Sequence, residues 1–143
     1  MFYYIKQIYY ICSRMIRRFF INYWPTIVVL LAVLWLTLAP DPVPEPHFQL
    51  FKGADKVVHL IMMGGLAATL MYDYSRQGAF KPRKLATKPI IVMAIAVAIF
   101  SAIDEWAQGA MGLGRSTDIY DLIADIAGVI LAAVAARKLK IEN

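Results

Sequence analysis

Four stretches carry no Asp, Glu, Lys or Arg: Ile27–Pro40, Val57–Tyr72, Pro89–Ile103 and Ile126–Ala136. A helix needs about 20 apolar residues to cross a 30 Å hydrocarbon layer, and each stretch extends to nearly that length with its flanks. The pattern therefore predicts four membrane spans, at about 24–39, 56–74, 89–108 and 119–136. Pro25 fits the first turn of the first span. The string Pro40-Asp41-Pro42-Val43-Pro44-Glu45-Pro46 ends it, because proline cannot continue a helix. Trp24, Trp106, Tyr72 and Tyr74 fall near span ends, where amphipathic rings favour the headgroup region.

Residues 1–22 are aromatic and basic (Tyr9, Tyr10, Arg14, Arg17, Arg18) and predict an interfacial helix leading into the first span. A cleaved signal peptide fits less well: the basic leader is too long, and proline follows where small cleavage-site residues belong. Residues 23–136 form one four-helix membrane domain, and 137–143 a basic tail. The expected fold is all-α and polytopic.

Composition agrees. Of 143 residues 60% are apolar and 17% charged, against about 45–50% and about 25% in soluble domains. A soluble protein of this size could not hide four such stretches. Cys12 is the one cysteine, so neither an internal disulfide nor a cysteine-based zinc site can form.

The net charge of +5 is a matter of sidedness. Lys6, Arg14, Arg17 and Arg18 precede the first span. Arg76, Lys81, Arg83, Lys84 and Lys88 lie around the second connection, and Arg137, Lys138 and Lys140 end the chain. Only Lys52, Lys56 and Arg115 fall on the opposite side. By the positive-inside rule both termini are cytoplasmic. This explains the basic excess without nucleic acid.

Acidic residues show the reverse bias: only Asp73 and Glu142 are on the inner side. The second span opens with Asp55, Lys56 and His59, and the third closes with Asp104, Glu105 and Gln108. Four-residue spacing places Asp55 with His59, and Asp104 with Gln108, on common helix faces. Asp118, Asp121 and Asp125 begin the fourth span within an arc of about 60°, a stripe descending roughly 10 Å. Ala124, Gly128, Ala132 and Ala136 lie on the same side of that helix, with Gly64 and Ala68 as a matching small surface in the second span. Small-residue ladders let membrane helices pack closely, so the stripe should face the bundle. Three helix ends then enclose an acidic, outward-open pocket, with Arg115 and Ser116 in its Gly-rich turn.

Helix capping accounts for Asp55 and Asp118. It does not account for Asp104 and Glu105 at a helix C-terminus, nor for Asp125 deep in a span. Each charge within a bilayer costs roughly 2.5–3.5 kcal/mol on insertion scales. Proton uptake, a divalent cation or a cationic ligand could offset this. No H-E-x-x-H, G-x-S-x-G or P-loop is present. Carboxylate-rich sites suit Mg²⁺ or Ca²⁺, with Glu105 and Asp121 the candidate metal ligands. His59 is a candidate proton shuttle or metal ligand; bonding to a carbonyl is its structural alternative. Met62 and Met63 read as packing.

The strings Asp55-Lys56-Val-Val-His59-Leu, Ile103-Asp104-Glu105-Trp-Ala-Gln108 and Gly114-Arg115-Ser116-Thr-Asp118-Ile-Tyr-Asp121-Leu-Ile-Ala-Asp125-Ile-Ala-Gly128 resemble the VanZ-like family of bacterial membrane proteins, over roughly residues 27–136. The resemblance implies a four-helix plasma-membrane protein. The family's founding member is associated with low-level teicoplanin resistance, and no settled biochemical activity comes with it. Its polar motif matches Asp55, Lys56, His59, Asp104, Glu105, Gln108, Gly114, Arg115, Ser116, Asp121 and Gly128. The chain departs from it at Met63 and Gly64, where an aromatic is common after the histidine, and at Asp125, where Asn is frequent.

The expected function is binding or processing of an envelope intermediate or lipoglycopeptide at the outer leaflet. His59, Asp104, Glu105 and Asp121 are the candidate catalytic residues. Asp55, Lys56, Gln108, Arg115, Ser116, Asp118 and Asp125 are the candidate ligand contacts. A non-catalytic structural or accessory subunit is the alternative. A coupled carrier ranks behind both, because four short spans show no inverted repeat and the inner half no chain of ionisable residues.

Overall fold

The computed structural model describes residues 2–39, 53–77, 86–111 and 118–138, with side chains from residue 12 onward. They form five helices: α1 (Phe2–Asn22), α2 (Trp24–Leu38), α3 (Ala54–Arg76), α4 (Thr87–Met111) and α5 (Ile119–Lys138). Among the described residues there is no strand. α1 covers the residues expected to form an interfacial leader, and α2–α5 cover the four segments expected to span.

Local sequence sets the helix ends. Pro25 sits in the first turn of α2, and Ala39, extended at φ −72° and ψ 135°, ends that helix just before Pro40, as a pre-proline residue should. Gly53 precedes α3 at φ +96°, a left-handed conformation that a side chain would strain. Asp118 caps α5: its Oδ1 accepts the Tyr120 N–H at 2.9 Å. Asp55 lies in the first turn of α3, where the dipole favours an anion.

α3, α4 and α5 are each long and apolar enough to cross a membrane. α2, at 15 residues, rises only about 22 Å; it reaches span length only together with Cys12–Asn22, from which it turns by 72° at Tyr23.

The helices are inside-out by the standards of water. Val28, Leu31, Trp35, Ile61, Ile91, Ile95, Ile99, Ile103, Trp106, Ile123 and Ile130 are exposed, while Thr37, Asp73, Ser101, Asp104, Glu105, Gln108 and Asp125 are buried. In lipid this is the stable arrangement, because polar groups must find partners inside the bundle. Met63, Leu66, Ala67, Met71, Ile90, Val97 and Val129 form the apolar core; Met63 is a packing residue.

α3 and α5 make the closest pair. A Cβ built on Gly128 would collide with the carbonyl oxygen of Leu60, and one on Gly64 would sit 3.1 Å from the carbonyl oxygen of Gly128. Backbone therefore packs on backbone, as the small-residue ladder predicted. Ala132 is also buried, but Ala68 is exposed at the edge of the contact. The pairing brings the start of α3 against the start of α5, which brings the polar side chains together.

At the opposite end lies a feature the sequence reading passed over. Asp73, placed there with the inner-side residues, is fully buried. Its Oδ2 accepts from the Thr26 N–H and hydroxyl at 3.0 and 2.7 Å.

Candidate functional site

The polar side chains gather in three connected groups where α3 and α5 begin and α2 and α4 end. At the rim, the Lys56 ammonium donates to Asp55 Oδ2 at 3.1 Å, Asp118 Oδ2 at 3.0 Å and Asp121 Oδ1 at 2.9 Å. One turn deeper, His59 Nδ1 lies 3.1 Å from Asp125 Oδ1, and the Ser101 hydroxyl donates to Asp125 Oδ2 at 2.6 Å. Toward α2, the Thr37 hydroxyl donates to Asp104 Oδ1 and the Gln108 amide to Asp104 Oδ2, both at 3.0 Å.

The α5 stripe is thus read by two residues of α3. Lys56 and His59, three apart and so on one face, meet Asp118, Asp121 and Asp125. Side-chain exposure falls along the stripe from 36% at Asp118 to 15% at Asp121 and 2% at Asp125. Each deeper carboxylate has a named partner, which is the condition for tolerating it there. Asp118 is held below the usual carboxylate range, first by the Tyr120 N–H and then by Lys56, and stays ionised at neutral pH.

Glu105 ties α4 to α5. Its Oε1 accepts the Asp118 N–H at 2.7 Å, while its Oε2 is buried with no hydrogen-bond partner among the described residues. One ligand atom each from His59, Glu105 and Asp121 lies within 4.8 Å of the others.

The residues singled out by sequence separate by place. His59, Glu105 and Asp121 converge. Asp125 orients His59. Asp104 and Gln108 pair with each other, as their spacing predicted, but both oxygens of Asp104 are taken and it stands apart from the convergent three. Asp55 shares a helix face with His59 only nominally: its partner is Lys56, and its side chain is 58% exposed. Arg115 and Ser116 lie outside the described residues.

Two contributors were missed, Thr37 and Ser101. Ser101 had a signal: Ser101, Asp104, Glu105 and Gln108 follow the 0, 3, 4, 7 spacing of one helix face, and all four are buried. Thr37 had none, because its role depends on how α2 sits against α4.

Beside this cluster the α3–α5 surface opens a groove of about 410 Å³, lined by Leu60, Ile61, Gly64, Gly65, Ala68, Gly128, Leu131, Ala132 and Ala135. Its lining is apolar, and its upper edge at Leu60 adjoins His59.

In comparison with known proteins, a family described as VanZ/LLP1 matches residues 13–140. No curated protein and no solved structure matches the chain.

Proposed function

The chain belongs to the VanZ/LLP1 family, and from that premise we propose that it binds an amphiphile of the bacterial cell envelope at the outer face of the plasma membrane. The class comprises lipid-linked envelope intermediates and lipoglycopeptides of the teicoplanin type. Both termini are then cytoplasmic, the orientation that the basic residues favour.

The observation that carries this reading is the adjacency of unlike surfaces. The Lys56–Asp118–Asp121 rim and the His59–Asp125 pair would meet a polar head, and the groove starting at Leu60 would take an acyl chain. An amphiphile needs both, in that order along the bilayer normal. Its ammonium or peptide amine would be received at the rim by Asp118, whose backbone N–H Glu105 holds. If the site also performs chemistry, His59 is the residue placed to move a proton, with its ring held by Asp125.

The alternative of an accessory subunit draws on the close Gly64–Gly128 packing and on the number of polar groups satisfied within the bundle. Glycopeptide protection and binding of teicoplanin and a long-chain polyprenyl phosphate in nanodiscs, measured for His59→Ala and Glu105→Gln at wild-type membrane abundance, separate the two. Binding predicts stable protein with lost protection and weakened binding. Full protection and undiminished binding by both variants would defeat the proposal. Loss of the protein itself in conservative variants points to the accessory role.

A further inference from the structure

We infer that His59, Glu105 and Asp121 form a site for one divalent cation of the Mn²⁺ or Zn²⁺ class. The three residues come from α3, α4 and α5 and offer ligand atoms within 4.8 Å of one another. Two ligands about 2.1 Å from a shared metal stand at most about 4.2 Å apart, so binding a cation would draw these side chains closer together.

Proximity of acidic groups alone would not define a site. The deciding feature is Glu105, which is 4% exposed and keeps Oε2 without a hydrogen-bond partner among the described residues. Leaving a buried carboxylate oxygen unsatisfied is costly, and a cation beside it supplies what the bundle does not. The other two residues are likewise held by one atom and have a second to offer. His59 engages Asp125 through Nδ1, leaving Nε2. Asp121 engages Lys56 through Oδ1, leaving Oδ2. A carboxylate behind a ligating imidazole fixes its orientation and raises its basicity, which is the place Asp125 occupies, itself steadied by Ser101.

The donor set selects the ion. Glu105 and Asp121 bring two negative charges and His59 a neutral nitrogen, which balances a dication. Counting carboxylates alone, the sequence favoured Mg²⁺ or Ca²⁺. An imidazole in the set shifts the preference to ions that accept nitrogen and oxygen together. The cation would stand just beneath Lys56, where it could meet an anionic group of an incoming head. The site does not depend on the proposed amphiphile, since a cation binds these residues whether or not a lipid is present.

The test is Mn²⁺ titration of the purified full-length protein in detergent, without glycopeptide or lipid ligand, followed by electron paramagnetic resonance. We expect one Mn²⁺ per chain, displaced by Zn²⁺, with nitrogen hyperfine coupling that His59→Ala removes. Glu105→Gln and Asp121→Asn should each weaken binding at least tenfold, and Ser75→Ala, at the opposite end of α3, should not. Absence of nitrogen coupling in the wild-type protein overturns the inference, and so does affinity unchanged in both carboxylate variants. The wild-type spectrum decides even if a variant misfolds. A negative result here leaves the amphiphile reading intact. Mn²⁺ bound as expected, with His59→Ala and Glu105→Gln both still giving full protection and undiminished amphiphile binding, removes that reading alone.

Discussion

Asp73, near the end of α3, caps the beginning of α2 by accepting both the backbone N–H and the hydroxyl of Thr26, at 3.0 and 2.7 Å. Tyr23, at the N-cap position itself, supplies no side-chain bond. The first turn of a helix has N–H groups without internal partners, and its dipole favours an anion. A carboxylate reaching across from another helix meets both needs and pins α2 to α3 at the end of the bundle opposite the polar cluster.

Replacing that carboxylate should therefore loosen α2. Asp73→Ala leaves a half-buried N–H and hydroxyl unsatisfied, a loss of about 1–3 kcal/mol. Asp73→Asn keeps an acceptor oxygen for Thr26 and should lose less. Unfolding of the detergent-solubilised protein, followed by circular dichroism, should rank wild type above Asn above Ala. Equal losses for Asn and Ala would show that the bond to Thr26 contributes nothing.

Three glycines give a graded test of the α3–α5 contact. A Cβ at Gly128 would strike the backbone of Leu60, one at Gly64 would crowd the Gly128 carbonyl, and one at Gly65 would meet nothing within 4 Å. Overpacking costs typically about 1–3 kcal/mol, so Gly128→Ala should destabilise most and Gly64→Ala less. Gly65→Ala should stay within about 0.5 kcal/mol of wild type. The same unfolding experiment reads all three.

Lys56 is the cation on which Asp55, Asp118 and Asp121 converge. Lys56→Met should lower the melting temperature, because the three carboxylates then repel one another without a counter-charge. Adding Asp121→Asn should recover part of the loss, and adding Asp55→Asn, further out toward solvent, should recover less. A double-mutant cycle on melting temperature gives the comparison. Equal recovery by the two would mean that depth is irrelevant to the pairing.

Asp125 separates orientation from charge. Asn at this position has nearly the same shape and can still accept from Ser101 or His59, so the fold should hold. Its weaker hold on the imidazole should reduce Mn²⁺ affinity about 10–100-fold. Asp125→Ala leaves Ser101 and His59 without their partner and should also destabilise. Mn²⁺ titration and unfolding of the two variants check both parts.

Sidedness can be tested with a membrane-impermeant thiol reagent on intact cells. In a Cys12→Ser background, Gln77→Cys should react only after permeabilisation, whereas Asp55→Cys, at an exposed position, should react directly. The reverse pattern would place the polar cluster on the cytoplasmic face.

The residues themselves revealed much of the site. Asp118, Asp121 and Asp125, at the start of the last span, lie on one helix face by spacing alone, and the structure sets that face against Lys56 and His59, not against the Asp55–His59 pair that spacing offered. Apart from Asp104 with Gln108, the hydrogen-bond partners were not legible. Asp55 and Asp125 are both aspartates near a helix start, yet one sits at the rim and the other is sealed between His59 and Ser101. Asp104, an equal candidate beside Glu105 in sequence, is fully occupied by Thr37 and Gln108, while Glu105 retains an open oxygen.

What the sequence determined by itself was the helices, their number and the small-residue stripe on α5, because hydropathy and helical spacing are properties of each segment alone. Which carboxylates are held, which are left open, and that Asp73 caps α2 were decided only when the helices packed. Those outcomes depend on distances between residues 24 to 67 positions apart, and a side chain's partners inside a bundle follow from the rotation and depth of neighbouring helices, which no single segment encodes.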